Sequence, residues 1–149
     1  MTALGEALRG VTRLGLDTAP VIYYVEEHAR YLPLVAPVFD SIDNGALEAI
    51  TSVITLAEVL VHPLQRNASE LQSEYLDLLL NSDHFETWPI DTLIAQRAAE
   101  LRARFNVRTP DALQLATALA AGCQAFLTND AALKRVADLR VLVLDELEP

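Results

Sequence analysis

The stretch TPDALQLATALAAGCQAFLTND, residues 109–130, decides the fold class. Thr109-Pro110 opens a helix, with a capping hydroxyl at its start and a proline in the first turn, where a missing N–H costs nothing. The run from Ala112 to Ala121 is so apolar that this helix must be mostly buried, and Gly122 ends it. Ala125 to Leu127 is then a short apolar run without alternation, as in a strand covered on both faces. A buried helix handing over to a buried strand within a few residues is half of a parallel α/β unit.

The same alternation extends in both directions. Upstream, Arg13–Leu16 reads as a strand, Thr18–His28 as a helix with Pro20 near its start, and Leu34–Asn44 as a helix stopped by Asn44-Gly45. Ala46–Ser52 follows as a strand, then a helix from about Leu56 to Val61 that breaks near Pro63. Ser69–Leu80 is helical, Phe85–Pro89 a short aromatic strand, and Thr92–Phe105 an Ala- and Arg-rich helix. Downstream, Ala131–Val136 reads as a short helix and Leu139–Leu144 as the last strand. Five strands interleaved with helices predict an α/β fold whose parallel sheet is covered on both faces. No repeat or linker divides the chain, so residues 1–149 are expected to form one domain. Residues 1–12 are an N-terminal extension open to three readings: an extra helix, a partner contact or an upstream start. Ligands of such open sheets bind beyond the carboxyl ends of the strands, and the search for chemistry begins there.

Composition narrows the class. Apolar residues make up 52% and charged residues 21%, which excludes a disordered chain. No apolar run reaches the roughly 20 residues of a membrane-spanning helix. Residues 1–16, carrying Glu6, Arg9 and Arg13, do not read as a signal peptide. A lone Cys123 excludes an internal disulfide and a cysteine-based zinc site, and a cytoplasmic setting is expected. The net charge of −10 is unusual for a nucleic-acid binder, since phosphate contacts need Lys and Arg. Either the protein is an acidic enzyme that never meets nucleic acid, or its acids gather around a cation while a few bases work locally.

Four acids stand where that cation would be held. Asp17 follows the first strand and Asp130 the fourth, and each reads equally well as a helix cap. Asp111 lies in the first turn of the buried helix, where the helix dipole favours a carboxylate by about 0.3–1 kcal/mol. Glu58 lies in Val53-Ile-Thr-Leu-Ala-Glu-Val-Leu-Val61, with no other charge between Glu48 and His62. Among such neighbours a carboxylate is costly unless paired, protonated or bound to a cation. Thr55 and Glu58 also fit a capping box, in which the glutamate bonds back to its own helix start. Four carboxylates at one sheet edge would repel one another without a counter-ion, and oxygen-only ligands suit Mg²⁺ or Mn²⁺ better than zinc.

At these positions the chain resembles the PIN-domain family, and among its members the short toxins of the VapC type. The resemblance rests on Leu16-Asp17-Thr18 with Val21–Glu26, on Thr55–Val59, on Thr109–Ala118 and on Leu127–Asp130, in matching order and spacing. It implies a three-layer α/β/α sandwich around a five-stranded parallel sheet and metal-dependent cleavage of RNA. It further implies that Asp17, Glu58, Asp111 and Asp130 are the catalytic, metal-binding acids, with Thr128 orienting a carboxylate or a water. Many members carry Asn two residues after the first acid, where this chain has Ala19.

The chemistry expected on that resemblance is hydrolysis of a phosphodiester by a metal-activated water, leaving a 5′-phosphate and a 3′-hydroxyl. Metal-free ribonucleases rely on paired general acids and bases, whereas His28, His62 and His84 are dispersed along the chain. Arg108, Lys134 and Arg135 are the candidate RNA-binding residues, with Arg102 and Arg104 nearby in sequence. Ala19 stands where a haloacid-dehalogenase-type phosphatase would need a second Asp, and no Gly-x-Ser-x-Gly elbow or phosphate-binding Gly-Lys loop occurs. The remaining alternative is a catalytically silent, metal-binding PIN module that acts through protein partners. The resemblance also implies a VapB-like antitoxin, the toxin role in a type II toxin–antitoxin pair, and a homodimer. The apolar surface for that dimer is expected on helices Leu34–Asn44 and Ser69–Leu80.

Overall fold

Leu14, Gly15 and Leu16 are wholly enclosed, which places strand β2 (Arg13–Leu16) at the centre of the molecule. The computed structural model describes residues 1–149. After a short strand β1 (Thr2–Ala3) and helix α1 (Leu4–Ala7), β2 leads into α2 (Thr18–Val25), α3 (Leu32–Asp43) and β3 (Glu48–Ser52). Next come α4 (Val53–Gln65), α5 (Ser69–Asn81), β4 (Phe85–Trp88), α6 (Thr92–Phe105), α7 (Thr109–Ala120) and β5 (Ala125–Thr128). A 3₁₀ turn (Ala131–Arg135), β6 (Arg140–Val143), a second 3₁₀ turn (Leu144–Glu146) and β7 (Leu147–Glu148) complete the chain. The sheet has five parallel strands in the order β4-β3-β2-β5-β6, the expected α/β sandwich.

Alternation along the strands sorts the core into two layers. Leu14, Leu16, Ala49, Ala125 and Leu127 pack with α2, α3, α4 and α5 on one face. Ile50 and Phe126 pack with α6 and α7 on the other. Gly15 faces α7, and a Cβ there would lie 2.8 Å from both Ala118 Cβ and Phe126 Cδ1. The missing side chain therefore sets how closely α7 approaches the sheet. Because β2 connects outward to β3 while β5 connects outward to β6, the order reverses between these two neighbours. Their carboxyl ends open the crevice where such sheets bind ligands.

Four local expectations change. Arg108, not Thr109, is the N-cap of α7 (Thr109–Ala120), and no side chain caps that end. Helix α2 stops at Val25 rather than His28, because Glu27 takes a left-handed conformation (φ 51°). Residues 131–135 form a 3₁₀ turn. Helix α4 runs from Val53 through Pro63 to Gln65, not from Leu56 to Val61. Proline removes one helical hydrogen bond, a cost bearable so near a helix end. The Pro63 carbonyl instead accepts from the Ala68 N–H (2.9 Å) and the Gln72 amide (3.2 Å), tying α4 to α5.

Residues 1–12 pack onto the body: β1 pairs in parallel with β7, and Leu4, Ala7 and Val11 are buried. The apolar residues of α3 (Leu34, Val35, Val38, Phe39, Ile42) are spent inside the core. Exposed apolar residues lie instead on α4 and α5, at Val61, Leu64, Leu76 and Leu80, and on α6 at Leu93. No helix is long and apolar enough to cross a membrane.

Candidate metal-binding edge

Asp17 stands at the end of β2, in the crevice. Its N–H donates to the Leu127 carbonyl of β5 (2.9 Å), and its carboxylate caps α2 by accepting from the Thr18 N–H (2.9 Å). The Thr128 hydroxyl donates to Asp17 Oδ2 (2.7 Å) and accepts from the Asp130 N–H (3.1 Å), so one side chain bridges the two strand ends. Asp130 caps the following turn through the Ala132 N–H (3.0 Å). For both aspartates the capping role and a position at the edge coexist.

Glu58 corrects the sequence reading twice. Ser52, not Thr55, caps α4, with its hydroxyl accepting from the Ile54 N–H (3.1 Å). Thr55 therefore lies inside the helix, and no capping box forms. Nor is Glu58 enclosed by the apolar residues around it in sequence: it is exposed, and Oε1 accepts from the Thr18 hydroxyl (2.6 Å). That bond brings α4 to the first turn of α2. The polar contact beside the first acid thus comes from Thr18 rather than from position 19.

Asp111 projects from the first turn of α7, and Arg108 Nε donates to its Oδ2 (3.3 Å). The acids feel one another. Burial pushes the Asp17 carboxyl above its ordinary range; bonds from Thr128 and Thr18 pull it back, and the charges of Asp111 and Glu58 raise it further. Burial likewise raises Asp111, Arg108 opposes, and Asp130 and Glu58 add to the rise. All four predicted acids are therefore gathered within electrostatic reach.

These residues fit a hard divalent cation. The donors are carboxylate and hydroxyl oxygens, and the carboxyls of Asp17 and Asp111 are raised first by burial, with the charges of the neighbouring acids adding to the rise. As the side chains stand, no three acids are close enough together to hold one metal ion. Mg²⁺ does not need three, since it keeps several waters and takes one or two carboxylates directly.

Of the candidate bases, Arg108 alone touches a site acid. Lys134 pairs with Glu146 (2.6 Å), Arg104 with Asp138 (2.7 Å), and Arg102 donates to the Val107 carbonyl (3.1 Å). Arg135 donates to the carbonyls of Ala132, Phe105 and Asn106. Two cavities of about 500 Å³ lie elsewhere, one beside Tyr24 and Leu32, the other beside Trp88 and Leu93. The acids line neither; Glu58 and Asp130 are exposed, so the edge opens to solvent. The sequence reading missed Ser52, Thr55 and Gln114 as site residues. The signal for Gln114 was there: it is the one amide in the apolar run of α7.

The raised carboxyls make a pH prediction. The folded chain holds protons on Asp17 and Asp111 that the unfolded chain releases near about pH 3.9. Their contribution to stability is present below that value and is lost as pH rises through the raised folded pKa. In EDTA, urea melts of Asp17→Asn should therefore gain on the wild type as pH increases from the acid side to neutrality. A difference that does not vary with pH would refute the strain assigned to Asp17.

The family model of the PIN domain matches residues 14–139. No curated protein matches. Among solved structures, VapBC2 from Rickettsia felis bound to a promoter DNA fragment aligns with a TM-score of 0.70 at 19% identity, covering 89% of this chain and 98% of that one. A toxin–antitoxin complex from Klebsiella pneumoniae gives 0.64 at 20% identity, covering 89% and 98%. FitAcB from Neisseria gonorrhoeae gives 0.68 at 21% identity, covering 91% and 100%. From the crevice flanked by Asp17 and Asp130 to the helix bearing Asp111, the site lies within the matched residues, and the chain belongs to the PIN-domain family.

Proposed function

We propose that this protein is an endoribonuclease that hydrolyses RNA with Mg²⁺ or Mn²⁺, and that it is the toxin of a type II toxin–antitoxin pair. The observation that carries the reading is the meeting of Asp17, Glu58, Asp111 and Asp130 at the carboxyl edge of the sheet. PIN domains are generally nucleases that use divalent metals. The open edge suits a polymer lying across it better than a small molecule enclosed in a cavity.

In this reading Asp17, Glu58, Asp111 and Asp130 hold the cation, and Thr128 orients Asp17. When bound there, a divalent ion would lower the pKa of a water and offset the charge that builds on the phosphate. Asp111 or Asp130 accepts the proton of the attacking water. Arg108 is exposed and beside Asp111, placed to contact a substrate phosphate; Lys134 and Arg135 would first have to leave their present partners. The toxin role draws support from the shared fold of the VapBC, FitAcB and toxin–antitoxin complexes. A VapB-like antitoxin would offer an Arg to the carboxylates, forming charge-assisted hydrogen bonds. The exposed Val61, Leu64, Leu76 and Leu80 offer an apolar surface to a homodimer.

The test is cleavage of structured RNA by purified, partner-free protein in Mg²⁺ or Mn²⁺ and in EDTA, with the ends mapped. Cleavage in metal alone, leaving 5′-phosphates, is the expected result. Cleavage that persists in EDTA would sink the metal mechanism. Metal binding without cleavage of any RNA offered would favour the silent module.

A further inference from the structure

Gln114 is 3% exposed in the middle of α7, between Ala112, Leu115 and Ala116, which are wholly buried. A buried amide is costly unless bonded, and an apolar side chain of the same length would pack there without that requirement. Gln114 meets the requirement by joining three elements. Oε1 accepts from the Ser52 hydroxyl at the start of α4 (2.5 Å), while Nε2 donates to Thr55 (2.7 Å) and, at 3.4 Å, to Thr18 of α2.

The direction of these bonds follows from proton bookkeeping. Ser52 Oγ already accepts the Ile54 N–H, so its own proton points at Gln114 Oε1. The Gln114 NH₂ must then face the threonines. Thr55 lies 3.2 Å from Thr18 and 2.7 Å from Thr51, whose single proton is directed at the Leu16 carbonyl (2.9 Å), so Thr55 accepts from Gln114 and gives its own proton to one of the two threonines. Glu58 Oε1, a carboxylate oxygen 2.6 Å from Thr18 Oγ1, can only accept, so the Thr18 proton goes to it, while the Gln114 amide donates to Thr18 at 3.4 Å. Glu58 is otherwise an exposed, rotamer-rich side chain.

We propose that Gln114 is a positioning residue: through Thr55 and Thr18 it holds the Glu58 carboxylate in place at the cation-binding edge. This rests on the metal-dependent function proposed above. The chain of bonds runs from α7, one turn beyond Asp111, to α4, so it also locks together the helices carrying two of the four acids.

The test is Mn²⁺ titration of the full chain, followed by the electron paramagnetic resonance of free Mn²⁺, with folding checked by circular dichroism. Gln114→Met keeps the volume and removes the donors; Thr55→Val removes the relay hydroxyl, and Thr55→Ser restores it. Thr117→Val removes a buried hydroxyl from the same helix that bonds only the Leu113 carbonyl. Gln114→Met and Thr55→Val should weaken Mn²⁺ binding by about 10- to 100-fold, as loss of an outer positioning partner does, and lower kcat on RNA more than KM. Thr55→Ser should bind as the wild type does, and Thr117→Val should bind normally even where it melts earlier. If Gln114→Met does not fold, the Thr55→Val and Thr55→Ser pair decides. Wild-type affinity in folded Gln114→Met or in Thr55→Val overturns the proposal, as does equal weakening in Thr117→Val. A wild type that binds no Mn²⁺ instead overturns the metal-dependent function beneath it.

Discussion

Asp17→Asn is expected to yield a folded protein whose metal-dependent cleavage of RNA has dropped by about a thousandfold or more. Asn preserves the shape, and its one carbonyl oxygen can still accept from the Thr18 N–H; its NH₂ then stands where Oδ2 was, so the Thr128 hydroxyl must turn from donor to acceptor. It removes the charge at the junction of β2 and β5. A cation contributes several kcal/mol of charge stabilisation in such reactions, and each 1.36 kcal/mol is about tenfold in rate. The same exchange relieves a crowded carboxyl, since burial and the charges of Asp111 and Glu58 already push Asp17 toward protonation. Activity and metal-free stability should therefore move in opposite directions. Single-turnover cleavage and urea melts in EDTA measure the two. A folded Asp17→Asn protein that cleaves at the wild-type rate would remove Asp17 from the site.

The second large effect concerns a residue with no side chain. Gly15→Ala should destabilise the protein, although replacing a strand glycine by alanine usually stabilises by about 0.4–1 kcal/mol through the unfolded state. The new Cβ meets Ala118 Cβ and Phe126 Cδ1 at 2.8 Å, and Ala118 can retreat only if α7 moves as a body. Overpacking of this kind costs about 1–3 kcal/mol, or several degrees in Tm for a chain of this size. The displaced helix carries Asp111 and Gln114, so cleavage should fall even where the protein remains folded. Calorimetry beside a cleavage assay checks both. A Gly15→Ala protein as stable and active as the wild type would mean that α7 rides freely on the sheet.

The open edge has a bearing on the acidic composition. The net charge of −10 weighs against a nucleic-acid surface, and most bases near the site in sequence prove to be tied to acids or carbonyls of the body. Arg108 is the exception, and it leans on Asp111. The balance of charge at the edge therefore depends on what the carboxylates bind, more than on surface arginines.

Much of the fold was legible because its signals are local. The helix at 92–105 and the strand at 13–16 match the sequence reading residue for residue, since apolar period, caps and strand length all lie within one short window. The acids at strand ends were legible for the same reason: a carboxylate that closes a buried strand lies where parallel sheets present their ligands. The sequence by itself thus determined the alternation of elements, the parallel sheet and that Asp17 and Asp130 follow two of its strands. Only the tertiary structure decided how those acids are held. The Thr18–Glu58 bond spans 40 residues, the Gln114–Thr55 bond 59 and the Asp17–Thr128 bond 111. The capping box of Thr55 and Glu58 was a sound local pattern, but Ser52 starts the helix three residues earlier and Thr18 supplies a better donor. Hydrogen-bond partners are chosen by distance in space, which chain folding sets and which no local window contains.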